Sequence, residues 1–433
     1  MPFGRAARRV LSNHTARSPP AASVTAITGV RGGFRMTGRG ARLLAVVLTC
    51  GVLASPIPAA AQDGEVVIAP GVSYRPFQLS TAHGPVLGHV VTVDLAEPSA
   101  KLGLLHPGSV AAKDEIADQT NAAGAVAGVN GDFFNISEEH AGVVPTSSSV
   151  GPEIARGRAL KGAVPDGQRF GPALPAGTSN EDVFAVGIDG RARLSRLSVA
   201  GAAVWPGGSA DIEGLNQYAL PVDGIGAYTD DWGEVSRARA VCGTDTDRSA
   251  PCSTATEEVV ITDGIVQSEA DPPGAGPIPD DTVVLVGREA GDAALEALDP
   301  GDPVSVRTGL RPDDGMPLSF AVGATPILRE GSPLTGLDTA ELAPRTAAGI
   351  SDDGRLVHLV VVDGRSPIST GLNLAETAGL LADLGATDGV NLDGGGSTTM
   401  AVKTPDTPSA TVRNVPSDGQ QRPVANGIGV FTR

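Results

Sequence analysis

Aromatic side chains are scarce in this sequence, at 3% of 433 residues, so small aliphatic side chains must do most of the packing. Lysine is nearly absent: Lys101, Lys113, Lys161 and Lys403 are the only four, and arginine supplies the rest of the positive charge. That is a composition bias rather than a functional signature. Six scattered histidines and three cysteines give no zinc-ligand spacing and no cluster of the kind that gathers catalytic metals. Long hydrophobic runs are missing too. The best of them, Leu43 to Ala54, is about 12 residues, well short of the ~20 that a membrane-spanning helix needs.

What is present is a 41% hydrophobic chain with 57 glycines and 34 prolines, which predicts a sizeable core and a turn-rich fold. The first 61 residues differ from the rest. They hold eight arginines and no Asp or Glu. Arg39 and Arg42 precede the apolar run, and Ala59-Ala60-Ala61 follows it. A basic start, a short apolar core and a small-residue cleavage site predict a secretory signal at about residues 36–61, with Met36 at its natural beginning. Residues 1–35 then read as an extended basic region or an over-long start. The formal net charge is −17, and loss of this leader takes it to about −25, a surface that repels nucleic acid and anionic membranes. The expected location is secreted, extracellular or at the cell envelope, with no stable membrane insertion once the signal is removed. Cys50 departs with the leader. Cys242 and Cys252 remain, and an even pair in an exported chain predicts a disulfide closing a short surface loop.

The pattern from residue 62 onward is strand-rich. Val86 to Leu95 and Lys101 to Leu105 alternate as strands, Ser109 to Ala122 has helical character with Ser109 as cap, and Ala125 to Val129 forms a small-residue strand. Residues 135–180 carry little periodicity and predict a long loop region, a candidate cover for a site. Asp189-Gly190, Asp263-Gly264 and Ser351 to Gly354 each join two strands as hairpins. A helix carries Leu374, Ala378 and Leu381 on one stripe and ends at Gly385. Gly389 to Leu392 and Gly427 to Thr432 are the last strands. The expectation is an α+β fold: one large mixed domain over 62–433, mostly antiparallel, with a few helices and an irregular insert at about 135–180.

Several strand ends carry chemistry. Asp393 closes an apolar strand and is followed by Gly394-Gly395-Gly396, then Ser397, Thr398 and Thr399. Glycine loses the most backbone freedom on folding, so three in a row need a reason. Close approach of a ligand to the backbone, with N–H groups forming an anion-binding nest, is one such reason. A tight turn is the bland alternative. Asn130 in "NGDFF" offers donor and acceptor together, as sugar hydroxyls require, while Phe133 and Phe134 read as pocket walls or as core. Arg345 and Arg422 stand at strand starts, placed to clamp phosphate or to sit in solvent. Asp363 ends a strand as ligand group or turn former. Glu376 fits a helix capping box with Asn373 and also offers a carboxylate.

In order along the chain, "GVNGDFF", "AVGATPILREG", "PRTAAGI", "VVVDGR", "GLNLAETAGLLADLGATDGVNLDGGGSTTM" and "RPVANGIGV" resemble the phosphodiester glycosidase family, whose members include the lysosomal uncovering enzyme. The resemblance implies an enzyme, a hydrolase of the glycosidic C–O bond of a sugar-1-phosphodiester. Its substrate would be an N-acetylglucosamine-1-phosphodiester or a phosphate-containing envelope polysaccharide. It implies Asp393, Glu376 and Asp363 as catalytic carboxylates. Asn130, Arg345, Gly394 to Gly396, Ser397, Thr398 and Arg422 would form the substrate and phosphate site. It implies no cofactor and leaves a metal ion open. The uncovering-enzyme type has glycine where this chain has Asp132, which sets Asp132 aside as the indispensable acid, and Ala324 stands where relatives often have glycine. Two other readings stay open: a phosphodiesterase cleaving P–O, and a non-catalytic binder of phosphate-containing exopolysaccharide.

Overall fold

In the computed structural model, residues 64–432 are described, and the signal-peptide expectation lies outside them. The architecture is mainly β. Three α-helices stand among the described residues, Ile116–Ala123, Ala290–Leu295 and Leu374–Asp383, against five sheets. The α+β expectation holds in its strand-rich, antiparallel part: apart from the parallel pair Gly214–Leu215 with Ile225–Tyr228, the ladders are antiparallel. No described helix is long and apolar enough to cross a membrane.

Two sheets position the candidate site. An eight-stranded sheet has at its centre Gly84–Asp94, Leu356–Val362, Arg345–Ile350 and Asp388–Asn391, side by side in that order. The helix Leu374–Asp383 covers one face, packing Leu374, Ala378 and Leu381 on Val90, Ala347 and Val360. Its start is the expected capping box: the Asn373 side chain accepts from the Glu376 N–H, and Glu376 accepts from the Asn373 N–H. Leu384 is the C-cap, and Gly385 follows with φ +91°, a backbone that suits glycine. A five-stranded sheet runs Thr411–Val412, Met400–Val402, Ala127–Asn130, Gly427–Thr432, Ala100–Leu105. Val129, Met400 and Ile428 from this sheet share a core with Val91, Leu359 and Val390 from the first, and with Leu392 just beyond it.

The Asp-Gly hairpins form as expected, Asp182–Gly187 with Ala192–Val199 and Thr256–Thr262 with Ile265–Ala270. Two expectations change. The helix begins at Ile116, not Ser109, because the Val110 and Ala111 N–H groups bond the Asp231 and Trp232 carbonyls, which holds that segment out of helical geometry. The 135–180 stretch is not wholly loop. Glu153–Ala155 and Arg158–Lys161 form a hairpin that extends a six-stranded sheet through Leu318–Gly323.

Candidate active site

The chain crosses from one sheet to the other through the acid and the three glycines. It leaves the eight-stranded sheet at Asn391, makes a single 3-10 turn at Gly395–Ser397, and enters the five-stranded sheet at Met400. Each glycine has a distinct cause. A Cβ at Gly394 would meet the Pro344 carbonyl oxygen at 2.7 Å. Gly395 has φ +60° and lies 3.0 Å from Arg365 Nη1, measured from where its Cβ would stand. At Gly396 a methyl would overlap Arg422 Nη2 and Asp418 Oδ2. Two guanidinium groups from distant parts of the chain therefore sit on the turn. The expected backbone nest is weaker than the arginines. The N–H groups of Gly395, Ser397 and Thr398 donate back into the chain, to the carbonyls of Pro344, Gly394 and Gly395.

Asp393 is recessed yet keeps part of its surface open to solvent. Burial pushes its carboxyl up to about 7. The Ser397 hydroxyl, the Arg422 charge and the Gly394 N–H pull it down, and the Asp132 charge pushes it further up. Arg422 Nη1 lies 3.4 Å from Ser397 Oγ, so guanidinium, hydroxyl and carboxyl form a chain. Its Nε and Nη2 also bond Asp418 Oδ2, at 3.1 and 2.6 Å. The Thr398 and Thr399 hydroxyls beside this chain are buried with no protein partner.

Asn130 stitches the crossing together. Its Nδ2 donates to the Asp393 carbonyl at 2.7 Å, and its Oδ1 accepts from the Thr346 hydroxyl at 2.6 Å and the Thr399 N–H at 3.0 Å. It is fully buried, so these bonds occupy the amide that sugar recognition would need. Asn130→Ala leaves a buried hydroxyl and a buried N–H unpaired. We expect a loss of about 2–4 kcal/mol in stability, measured by chemical denaturation, rather than a change in KM alone.

The other expected residues fall at varying depth from the acid. Asp363 is buried, which raises its carboxyl, and its Oδ1 accepts from the Val415 N–H at 2.9 Å. Asn414, beside it, bonds the Met400 N–H and the Thr398 carbonyl, so Asp363 supports the turn from behind. Arg345 is buried and its guanidinium donates to the Leu372 and Glu341 carbonyls, both at 2.8 Å. Glu376 is engaged by its cap and faces His83 at 3.5 Å. No hydrogen bond or ion pair among the described residues joins Arg345 or Glu376 to Asp393. Phe133 and Phe134 are core residues, not pocket walls.

Two further residues enter: Arg365, which sequence reasoning passed over, and Asp132, which it set aside. Arg365 directly follows Asp363-Gly364, has φ +56°, is half-exposed, and stands 3.6 Å from the Glu341 carboxylate. Its signal lies in "VVVDGR", directly after the aspartate. Asp132 is buried, accepts from the Phe133 N–H at 2.8 Å and the Gly151 N–H at 2.5 Å, and is pushed up to about 6 by burial. Lys161 and Arg169 lie close enough to draw it down.

The predicted disulfide is present between Cys242 and Cys252. His140 brings a third soft-ligand atom near it, all within 4.8 Å, but the sulfurs are bonded to each other. The ring nitrogens of His140 meet Glu138 Oε1 at 2.5 Å and the Ala250 carbonyl at 2.8 Å. That constellation pins the start of the insert and is not a thiolate metal site.

Comparison with known proteins gives a family likeness over part of the chain. Residues 255–431 match the family model described as phosphodiester glycosidase. No curated protein matches the chain by sequence. Among solved structures, a hypothetical protein from Synechocystis aligns with 21% identity and a TM-score of 0.64. The alignment covers 85% of this chain and 63% of that one, less than two thirds of its length. A protein of Burkholderia pseudomallei that carries the name exported protein aligns with 26% identity and a TM-score of 0.61, over 80% of this chain and 74% of that one. The catalytic domain of zebrafish N-acetylglucosamine-1-phosphodiester alpha-N-acetylglucosaminidase aligns with 14% identity and a TM-score of 0.40, over 86% of each chain, too low to carry a residue-by-residue comparison. The likeness to the phosphodiester glycosidase family therefore stands over residues 255–431, the stretch that supplies Asp393, its glycine turn, Arg365 and Arg422.

Proposed function

We propose that the protein is an exported hydrolase that cleaves the glycosidic C–O bond of a sugar-1-phosphodiester, with an N-acetylglucosamine-1-phosphodiester or a phosphate-linked envelope glycan as substrate. The observation that carries this reading is a recessed carboxyl held near neutrality with two guanidinium groups over the adjoining glycines. Export is supported by the disulfide and by the name of the Burkholderia neighbour. The leaving group is a phosphate monoester, far less basic than an alkoxide, so catalysis needs little proton donation and much charge stabilisation. Arg422 and Arg365 supply that field. Asp393 takes the proton of the attacking water. Water oxygen bonds C1, the C1–O bond breaks with its electron pair on the phosphate oxygen, and the free sugar and phosphate monoester leave. A base titrating near neutral pH is well matched to this step.

Hydrolysis of a synthetic sugar-1-phosphodiester in oxygen-18 water tests the reading. The label is expected at C1 of the released sugar and absent from the phosphate. Label in the phosphate would establish P–O cleavage instead, and binding with no turnover across a panel of such diesters would establish a binding protein.

A further inference from the structure

A second charged network adjoins Asp393. The Asp393 N–H donates to the Gly131 carbonyl at 2.8 Å, which brings the next residue, Asp132, close to the acid. Asp132 fills the space between two glycines: a methyl at Gly323 would overlap its Oδ2, and one at Gly151 would come within 3.1 Å of it. Its N–H is held by Asn426 Oδ1 at 2.9 Å, and Asn426 Nδ2 donates to Glu153 Oε1 at 2.7 Å. Lys161 is fully buried and gives its ammonium to three carbonyls, those of Val150, Gly151 and Gly162. Arg169 stacks over Phe133 at 5.5 Å and bonds Asn180 Oδ1 and Thr325 Oγ1.

We propose that Asp132, with Lys161 and Arg169 of the insert, is a positioning device that fixes the charge state in which Asp393 meets its substrate. A buried ammonium is costly without a partner charge, and buried lysines are rare for that reason. This one is one of only four lysines in the chain, and its charged neighbours are Glu153 and Asp132. The cations keep Asp132 ionised. Its negative charge adds to burial in raising the Asp393 carboxyl, since two neighbouring carboxyls do not both ionise easily, and so makes the ionised Asp393 a stronger base for the attacking water. The remaining groups around the pair are few. Ser397, the Gly394 N–H and Arg422 face Asp393, and the Phe133 and Gly151 N–H groups and Tyr218 face Asp132. Burial pushes the Lys161 ammonium down to about 8, which places its own loss of charge just above the working range. The reacting acid comes from residues 255–431. The device comes from residues 130–170, outside that segment, so this inference rests on the proposed chemistry only in taking Asp393 as the reacting acid.

The test is a carbon-13 NMR titration of aspartate carboxyls in the full chain, with Asp393 identified by comparison with Asp393→Asn. In the unaltered protein the Asp393 signal is expected to titrate in two steps, the second reporting its neighbour. In Asp132→Asn it is expected to titrate in one step with a lower midpoint. Lys161→Met is expected to shift it the same way, because Asp132 then goes neutral. A single step in the unaltered protein, or an unmoved midpoint in either folded variant, would overturn the proposal. Asp393→Asn serves only to assign the signal, and none of these readings needs turnover, so failure here is distinct from failure of the glycosidase reading. Where turnover is measurable, the limb of the kcat/KM profile belonging to Asp393 moves down with the midpoint, which a merely structural residue would not cause.

Discussion

Asp393→Asn is expected to abolish turnover and to make the protein more stable at pH 8. Loss of the base removes at least about 10³-fold in kcat/KM, within the range for a positioned proton acceptor plus its electrostatic support. The stability gain follows from linkage. The Asp393 carboxyl is raised to about 7 in the folded chain against an ordinary value near 4 in the unfolded one. Below about pH 4 the group is protonated in both states and contributes nothing. Between pH 4 and 7 the unfolded chain has released a proton that the folded chain still holds, so stability falls as pH rises. Above 7 the full cost of ionising a recessed carboxyl is present. Each pKa unit is about 1.4 kcal/mol, so a three-unit shift sets a ceiling of roughly 4 kcal/mol, reduced because the group is partly open to solvent. Asparagine has the shape of the neutral form and carries none of this cost. The variant's Tm is therefore expected to exceed that of the unaltered protein by a few degrees at pH 8 and to equal it at pH 4. In the unaltered enzyme kcat/KM should rise with pH through about 7. Equal melting temperatures at both pH values, or an active variant, would contradict the assignment. Such a trade of stability for reactivity is common where a site holds a group against its solution preference.

The reach of the sequence is clearest in contrasts between similar residues. The Asp-Gly hairpins were legible because two residues determine such a turn wherever it occurs. The glycine run was legible because three consecutive glycines have few bland explanations, and the structure gives each a separate one. The helix start at Ile116 was not, because the carbonyls of Asp231 and Trp232 that unwind Ser109 to Asp114 come from over a hundred residues away. Arg345 and Arg365 look alike in sequence, each next to a strand end. Only the fold decides that one guanidinium is used by two backbone carbonyls and the other lies over Gly395. The donor and acceptor that suit Asn130 to a sugar instead hold two sheets together. Asp132 and Lys161 are unremarkable letters 29 positions apart, and their meaning exists only once Gly151 and Gly323 have made room between them.

Removal of the Arg422 guanidinium is the second large effect expected, and the glycine beneath it allows the cause to be separated from general damage. Arg422→Ala should lower kcat/KM by about 10²–10³-fold, the usual loss for a donor aimed at charge that develops in the transition state. The salt bridge to Asp418 contributes little to this, since both side chains stand about a third exposed. Arg422→Lys keeps the charge but loses the planar fork, so it should recover only part of the activity. Gly396→Ala removes no charged or hydroxyl group of the site, and Gly396 has no positive φ, yet the methyl would occupy the place of Arg422 Nη2. The guanidinium must move, and with it the bond to Ser397 Oγ that ties it to Asp393. Gly396→Ala should therefore lose nearly as much activity as Arg422→Ala, with the fold intact by melting temperature. Once the arginine is gone the methyl no longer meets the guanidinium, and Asp418 Oδ2 is the other group it overlaps. The double variant should then be no worse than Arg422→Ala alone, a strongly non-additive result. Steady-state kinetics on one sugar-1-phosphodiester decides it, with inhibition by the phosphate monoester product as a second readout expected to weaken in Arg422→Ala, Gly396→Ala and the double variant. Losses that simply multiply in the double variant would mean that the glycine and the arginine act on the substrate separately. Losses that do not multiply would mean that the third glycine is there to seat a cation beside the acid.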